Sequence, residues 1–137
     1  MPDGIVNLYT DGACRGNPGQ GGAGVVLVDE SGEVVATVKR SLGHCTNNIA
    51  EYRALIIGLE ETLKKRYGQL NIFLDSELLV NQIKGSYKVK NETLKGLMSE
   101  VRKLLSYFDG YTVKHIDRSQ NHIADRLANE AIDERII

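Results

Sequence analysis

The alternation of apolar and polar residues predicts three strands in the first third of the chain. Residues 5–10 alternate in this way, and residues 25–28 and 33–38 are β-branched runs on either side of residues 29–32. The acidic pair, serine and glycine at 29–32 favour a hairpin between the second and third strands. Residues 12–24 are rich in glycine and are predicted to form the connection between the first two strands.

Helical periodicity predicts four helices in the rest of the chain. The threonine and two asparagines at 46–48 supply N-cap chemistry for a helix that runs to about residue 66. Ser76 caps a short helix that ends near residue 85. In residues 92–108, apolar side chains recur every three or four positions, which is typical of an amphipathic helix. The last predicted helix covers residues 121 to about 135.

Two further strands, residues 71–75 and 111–116, complete the order β-β-β-α-β-α-α-β-α. Strands that are joined through helices pair in parallel by right-handed crossovers. The predicted fold class is therefore α/β: a mixed five-stranded sheet, with three antiparallel strands and then parallel strands, and helices on both faces. In open sheets of this kind, sites gather beyond the carboxyl ends of the parallel strands. Asp11 and Asp75 lie at two such ends.

Length and composition are ordinary for a soluble globular protein, with 137 residues, 42% hydrophobic and 26% charged. We expect a single domain over residues 1–137 and, by default, a monomer. The apolar runs are too short to span a bilayer, and residues 1–4 lack the features of a secretory signal. Two cysteines give no disulfide framework, so the predicted location is the reducing cytoplasm.

Charge alone does not indicate a nucleic-acid partner, because the formal net charge is −1. Lysines do collect around Tyr87, at positions 84, 88, 90 and 95. A charge run of this kind is more often a solvated helix face than a binding surface.

The glycine-rich segment contains a literal G-x-G-x-x-G at residues 19–24. A dinucleotide-binding loop must lead from a strand into a helix whose N-terminus faces the pyrophosphate. Here the glycines lead into the predicted strand 25–28 instead. Flexible turns or close packing explain them better than a nucleotide site does.

Four carboxylates form the main candidate site: Asp11, Glu51, Asp75 and Asp125. Each has a structural explanation when taken alone, as a turn residue, a cap or an acid in the first turn of a helix. Two of them follow strands and two lie near helix starts, so all four can converge at one end of the sheet. Four carboxylates so close together could not all stay ionised without cations. Oxygen ligands without sulfur or imidazole suit Mg²⁺ or Mn²⁺ better than zinc.

The segments around these acids resemble the successive motifs of type 1 ribonuclease H. These segments are residues 11–19 (Asp-Gly-Ala-Cys-Arg-Gly-Asn-Pro-Gly), 46–51 (Thr-Asn-Asn-Ile-Ala-Glu), Asp75-Ser76 and 121–125 (Asn-His-Ile-Ala-Asp). They occur in the family's order and cover nearly the whole chain. The short stretch 85–91 between two predicted helices resembles compact members, which lack a basic protrusion at this point.

The resemblance implies a ribonuclease H-like fold and an endoribonuclease that hydrolyses the RNA strand of RNA/DNA hybrids. It implies that the four acids bind two Mg²⁺ ions, with Mn²⁺ as a substitute, and that the products carry 5′-phosphate and 3′-hydroxyl ends. Glu51 would also touch the ribose 2′-hydroxyl. The implied hybrid contacts are Gly12, Cys14, Asn17, Thr46, Asn47, Asn48 and Asn121. For Asn47 and Asn48, helix capping is an alternative role.

The family often uses a mobile residue before the last acid to assist product release. His115 has the matching spacing, but some members with a similar segment use an arginine, which here is Arg118. The resemblance favours Arg118 slightly and leaves His115 as the alternative. Cys14 and Cys45 are expected to be free thiols, although a disulfide between them is an alternative.

Two other functions remain compatible with the sequence. One is a domain that binds hybrids or another partner without catalysis, which the presence of all four acids disfavours. The other is a nuclease of the same superfamily that also acts on double-stranded RNA.

Overall fold

The computed structural model describes residues 4–136 and contains one sheet with helices on both faces. Residues 1–3 and 137, the ends of the domain predicted over 1–137, lie outside the described part. The strands are β1 (Ile5–Gly16), β2 (Gly19–Val28), β3 (Val34–Cys45), β4 (Gln69–Leu74) and β5 (Gly110–His115). The α-helices are α1 (Asn47–Lys64), α2 (Glu77–Lys84), α3 (Glu92–Leu105) and α4 (His122–Ile136), and a 3₁₀ turn covers Arg118–Asn121.

The strand order β3-β2-β1-β4-β5 confirms the predicted mixed sheet. β1 pairs antiparallel with β2, and β2 pairs antiparallel with β3. β4 lies parallel to β1, and β5 lies parallel to β4. β1 is therefore the central strand, and β4 ends beside the middle of β1, just after the pair Tyr9 and Phe73.

The two faces of β1 meet different helices. On one face, Leu8 and Thr10 are buried against Gly58 of α1. On the other, Asp11 is paired with Gly24 of β2, which lies under Ala124 of α4. Directly opposed residues of an antiparallel pair point to the same face, so Asp11 faces α4 rather than the middle of α1.

The prediction that residues 12–24 form a connection is wrong, because most of them belong to strands. The expected end of the first strand at Asp11 is wrong as well, because β1 continues through Asp11 to Gly16, and β2 starts at Gly19. Glycine is depleted in strands, but here it allows a helix to approach closely. A Cβ at Gly24 would lie 2.0 Å from the Ala124 carbonyl oxygen. The G-x-G-x-x-G segment is thus part of a strand packed under a helix.

Two helix boundaries also differ from the prediction. α3 ends at Leu105 rather than at Phe108, because the backbone N–H groups of Tyr107 and Phe108 donate three residues back, which closes tighter turns. The last helix begins at His122, after the 3₁₀ turn that ends at Asn121. Among the helices of residues 4–136, none has both the length and the apolar character needed to cross a membrane.

Replacing Gly24 with alanine tests the close approach of α4 to the sheet. We expect the free energy of unfolding to fall by about 2–3 kcal/mol, because the added methyl overlaps the α4 backbone. Gly96→Ala on α3 is the matched control. Nothing lies within 4 Å of the Cβ that it adds, so it should stabilise the helix by up to about 1 kcal/mol. Equal stability of the two variants in urea unfolding would contradict this packing.

Candidate active site

Three acids converge where β1, β4 and the start of α1 meet. Asp11 lies on β1, Asp75 directly follows β4, and Glu51 is in the first turns of α1. One carboxylate oxygen from each of them lies within 4.8 Å of the others. This geometry arises because β4 runs parallel to β1 and their last paired residues are Tyr9 and Phe73, so Asp11 and Asp75 each lie two residues beyond that pair.

Gly12 explains how Glu51 comes so close to Asp11. A Cβ at Gly12 would lie 2.2 Å from the carbonyl carbon of Ala50, so only glycine lets the start of α1 lie against β1. The Gly12 N–H also donates to the Glu51 carboxylate. A hybrid contact at the buried Gly12 stays a prediction, whereas its packing role is visible in the structure.

The ionised forms of these acids are unfavourable when no cation is bound, because the acids are buried or partly buried and lie close to one another. Asp11 is 3% exposed, and its Oδ2 has no hydrogen-bond partner among the described residues. Burial, followed by the charge of Glu51, raises the pKa of Asp11 well above its ordinary value. Burial and then the charge of Asp75 raise the pKa of Glu51 to about 8. An unpartnered buried oxygen in an all-oxygen cluster fits a hard divalent cation.

Asp125 lies beside this group without belonging to the tight three-membered cluster. Its side chain is close enough to interact with that of Asp11. Arg118 donates to Asp125 Oδ1 at 3.2 Å, and Asn129 donates to the same oxygen at 3.4 Å. The structure therefore places all four predicted acids in one region, with Asp125 held by its own polar partners.

Asn121 lies behind the carboxylates. It is 1% exposed, and its side-chain amide donates to Asp75 Oδ2 at 2.8 Å and to the Thr10 carbonyl at 2.9 Å. These contacts hold Asp75 against β1. The predicted hybrid contact at Asn121 therefore falls on a buried side chain, which a duplex could not reach without a rearrangement.

The other predicted hybrid contacts lie in the β1–β2 turn and at the start of α1. Asn17 in the β1–β2 turn and Asn47 and Asn48 at the start of α1 have exposed side chains. Thr46, rather than either asparagine, is the N-cap residue of α1, and its hydroxyl accepts from the Ile49 N–H. The Asn17 side chain accepts from the Asn47 N–H at 3.0 Å, which ties the β1–β2 turn to α1.

Cys14, a residue of β1, is partly buried, and its side chain reaches the end of β3. Its thiol donates to the Cys45 carbonyl oxygen at 2.9 Å, and both cysteines are free thiols. Burial raises the pKa of the Cys45 thiol.

A polar cleft of about 360 Å³ is lined in part by two residues that were not predicted from the sequence. Asn91 and Thr93, at the start of α3, line it together with Asn17, Thr46 and Asn48. Asn91 is the N-cap residue of α3. Its capping position was the available signal, but only the fold shows that α3 begins beside α1.

His115 and Arg118 occupy different positions relative to the acids. His115 is the last residue of β5, is exposed and is paired in register with Leu74. Arg118 lies in the 3₁₀ turn and contacts Asp125, and the nearby carboxylates, Asp125 most of all, raise its pKa. Of the two, Arg118 is the one that the structure connects directly to one of the four acids, Asp125.

The chain is similar to known proteins in both sequence and structure. A protein-family profile described as "Reverse transcriptase-like" matches residues 9–131. The chain is 40% identical to ribonuclease HI of Halobacterium salinarum over 136 residues, which are 98% of this chain and 68% of that protein. It is also 40% identical to the bifunctional protein Rv2228c of Mycobacterium tuberculosis, but it spans only 35% of that protein's length.

Solved structures agree with these matches. The crystal structure of the H. salinarum RNase H1 superposes with a TM-score of 0.94 at 40% identity, covering 96% of this chain and 99% of that one. LC11-RNase H1, isolated from compost and crystallised with an RNA/DNA hybrid, superposes with a TM-score of 0.92 at 39% identity, covering 96% and 99%. The segment between α2 and α3 is also short, as in compact members. The chain belongs to the type 1 ribonuclease H family.

Proposed function

We propose that this protein hydrolyses the RNA strand of RNA/DNA hybrids with divalent metal ions. The observation that carries the proposal is the cluster of Asp11, Glu51 and Asp75, in which a buried carboxylate oxygen has no protein partner. The family relationship and the hybrid bound in the structure of LC11-RNase H1 support the choice of substrate.

The four acids would hold the metal ions, with Mg²⁺ as the expected ion, two as the expected number, and Mn²⁺ as a substitute. Bound by these acids, the ions would supply activation of a water and stabilisation of the leaving 3′-oxygen, which would give 5′-phosphate and 3′-hydroxyl ends. Asp11 supplies its unpartnered Oδ2, and Asn121 keeps the Asp75 carboxylate turned toward β1. Glu51 is only partly buried, so it could also meet the 2′-hydroxyl of the RNA strand.

Contacts with the hybrid are proposed along the surface next to the acids. The exposed amides of Asn17, Asn47 and Asn48 can bond to sugar and base edges. The Thr46 hydroxyl and the N-terminus of α3 line the polar cleft, where a phosphate of the DNA strand could bind, because helix N-termini favour anions. Cys14 would contribute through its backbone.

The basic experiment compares labelled RNA/DNA hybrid, double-stranded RNA, single-stranded RNA and DNA duplex, with Mg²⁺ or with a chelator. We expect cleavage of RNA in the hybrid alone, and its loss when the metal is chelated. Binding of the hybrid without cleavage would favour the non-catalytic alternative. Comparable cutting of double-stranded RNA would favour the broader nuclease. Cleavage that survives chelation would refute the metal mechanism.

Arg118 is the proposed mobile residue that assists product release. Arg118→Ala should lower kcat at saturating hybrid by about 10–100-fold, because its guanidinium interacts with the acids that hold the product end. His115→Ala is the matched comparison and should change kcat by less than about threefold. Steady-state rates at saturating substrate decide between them. A larger loss with His115→Ala would reverse the assignment.

We further propose that residues 1–137 act as one catalytic unit, as a monomer and in the cytoplasm. One core, which the sheet shares with α1, α2 and α3, and the packing of α4 on β2 support a single unit. The two free thiols are compatible with a reducing compartment.

A further inference from the structure

Asp125 is held by a side chain that none of the catalytic motifs contains. Asn129 lies one turn further along α4, on the same face as Asp125. Its side-chain nitrogen donates to the Asp125 carbonyl oxygen at 3.0 Å and to the carboxylate Oδ1 at 3.4 Å. The second partner of Oδ1 is Arg118, which is mostly exposed and whose proposed role requires it to move. Asn129 is therefore the more permanent partner of this carboxylate.

Arg15 and the Asp125 carbonyl oxygen together determine which way the Asn129 amide points. One guanidinium nitrogen donates to Asn129 Oδ1 at 3.2 Å, and the other donates to Asp133 Oδ1 at 2.8 Å. A guanidinium group can only donate hydrogen bonds. The amide oxygen must therefore face Arg15, which leaves the amide NH₂ group directed at Asp125.

Arg15 connects this arrangement to the surface beside the cluster. It lies on β1, two residues before Asn17, in the β1–β2 hairpin. The same hairpin is tied to the start of α1 through the Asn17 side chain. A displacement of the hairpin would reach Asp125 through only two hydrogen-bonded side chains.

We propose that Asn129 is a positioning residue for Asp125, and that Arg15 fixes the orientation of its amide and so couples the β1–β2 hairpin to metal binding. The inference rests on the proposed function in that Asp125 is taken as a metal-binding acid. Residues that orient a metal ligand typically contribute 10–100-fold to metal affinity or activity. Losing Asn129 should therefore weaken metal binding, whereas hybrid binding at saturating metal should change little.

The test measures Mg²⁺ affinity by calorimetry, with no hybrid present, and cleavage as a function of Mg²⁺. Asn129→Ala should lower the affinity and raise the Mg²⁺ concentration for half-maximal cleavage by about tenfold. The KM for hybrid at saturating metal should stay within about twofold. Arg15→Ala should give a smaller shift in the same direction. The double variant should match Asn129→Ala alone, because Arg15 acts through Asn129.

A control variant separates positioning from a general loosening of α4. Lys39→Ala removes the ion pairs of β3 with Glu130 and Glu134 of α4 and leaves Asp125 untouched. It should bind Mg²⁺ like the wild type. If Lys39→Ala weakens metal binding as much as Asn129→Ala does, Asn129 only anchors the helix and the proposal is wrong.

Other outcomes are also decisive. Wild-type Mg²⁺ affinity in Asn129→Ala would overturn the positioning role. If that variant does not fold, Asn129→Leu, which is similar in size, and Arg15→Ala carry the same comparison. A wild-type protein that binds Mg²⁺ but does not cleave hybrid would refute the proposed function, while the calorimetric comparison would still decide the role of Asn129.

Discussion

Replacing Asp11 with asparagine is expected to lower kcat for hybrid cleavage by at least about 10³-fold and at the same time to stabilise the metal-free protein. Activity falls because the amide takes away the buried, unpartnered Oδ2 that is proposed to hold a cation. Stability rises because asparagine cannot ionise, whereas burial and the charge of Glu51 both disfavour the ionised form of Asp11. We expect the gain in the free energy of unfolding to be on the order of 1–2 kcal/mol.

The combination of the two effects distinguishes a functional acid from a structural one. Glu100→Gln on α3, which removes an exposed carboxylate, is the control and should change neither activity nor stability appreciably. The measurements are steady-state cleavage with Mg²⁺ and urea unfolding with a chelator present. If Asp11→Asn retained most of the activity, or lost stability as a buried structural acid does, the metal-binding role of Asp11 would be untenable.

The second large effect is a dependence of stability on pH that metal ions should suppress. A carboxyl group whose pKa is higher in the folded state than in the unfolded state binds more protons when folded. For Glu51 the pKa rises from an ordinary 4.5 to about 8, and the pKa of Asp11 is raised as well. These groups lower the free energy of unfolding once they ionise. The effect is absent at pH values below the unfolded-state pKa and grows as the pH rises toward the folded-state pKa.

The metal-free protein should therefore lose stability between about pH 5 and pH 8, by about 2 kcal/mol or more. Saturating Mg²⁺ should restore most of this loss at pH 8 and have little effect at pH 5, because protonated carboxyl groups do not bind the ion. Urea unfolding across this range, with Mg²⁺ or with chelator, measures the effect. A metal-free stability that stays constant or rises over the interval would show that the acids are not buried together.

The sheet and most helices were predictable because local signals and tertiary packing agree. Ser76 caps α2 as its sequence suggests, and the turn at 29–32 joins β2 to β3. The extension of β1 and β2 through the glycines was not predictable in the same way. Its cause is that the α4 backbone lies so close to Gly22 and Gly24 that a Cβ at either position would clash with it. This contact joins segments that are about a hundred residues apart in the sequence.

For the site, the sequence identified the acids that the fold brings together but not the side chains that hold them. Asp11, Glu51 and Asp75 were predicted from expected strand ends, a helix start and family motifs, and the fold brings them together although β1 continues past Asp11. Asn129 has no local signal, because its role depends on Arg15, which lies 114 positions earlier. Asn121 shows the reverse case: its motif suggested a hybrid contact, and the fold gives it a buried hydrogen bond to Asp75.

The most direct measurement uses a hybrid in which sulfur replaces one nonbridging oxygen of a single RNA phosphate. Sulfur is a softer ligand than oxygen and binds Mg²⁺ poorly, whereas the softer Mn²⁺ tolerates it better. If the acidic cluster holds cations against the phosphate that is cut, cleavage at that position should fall strongly with Mg²⁺ and recover with Mn²⁺, while neighbouring positions stay unaffected. An equal rate for the sulfur and oxygen substrates in both metals would contradict metal-dependent cleavage at this site.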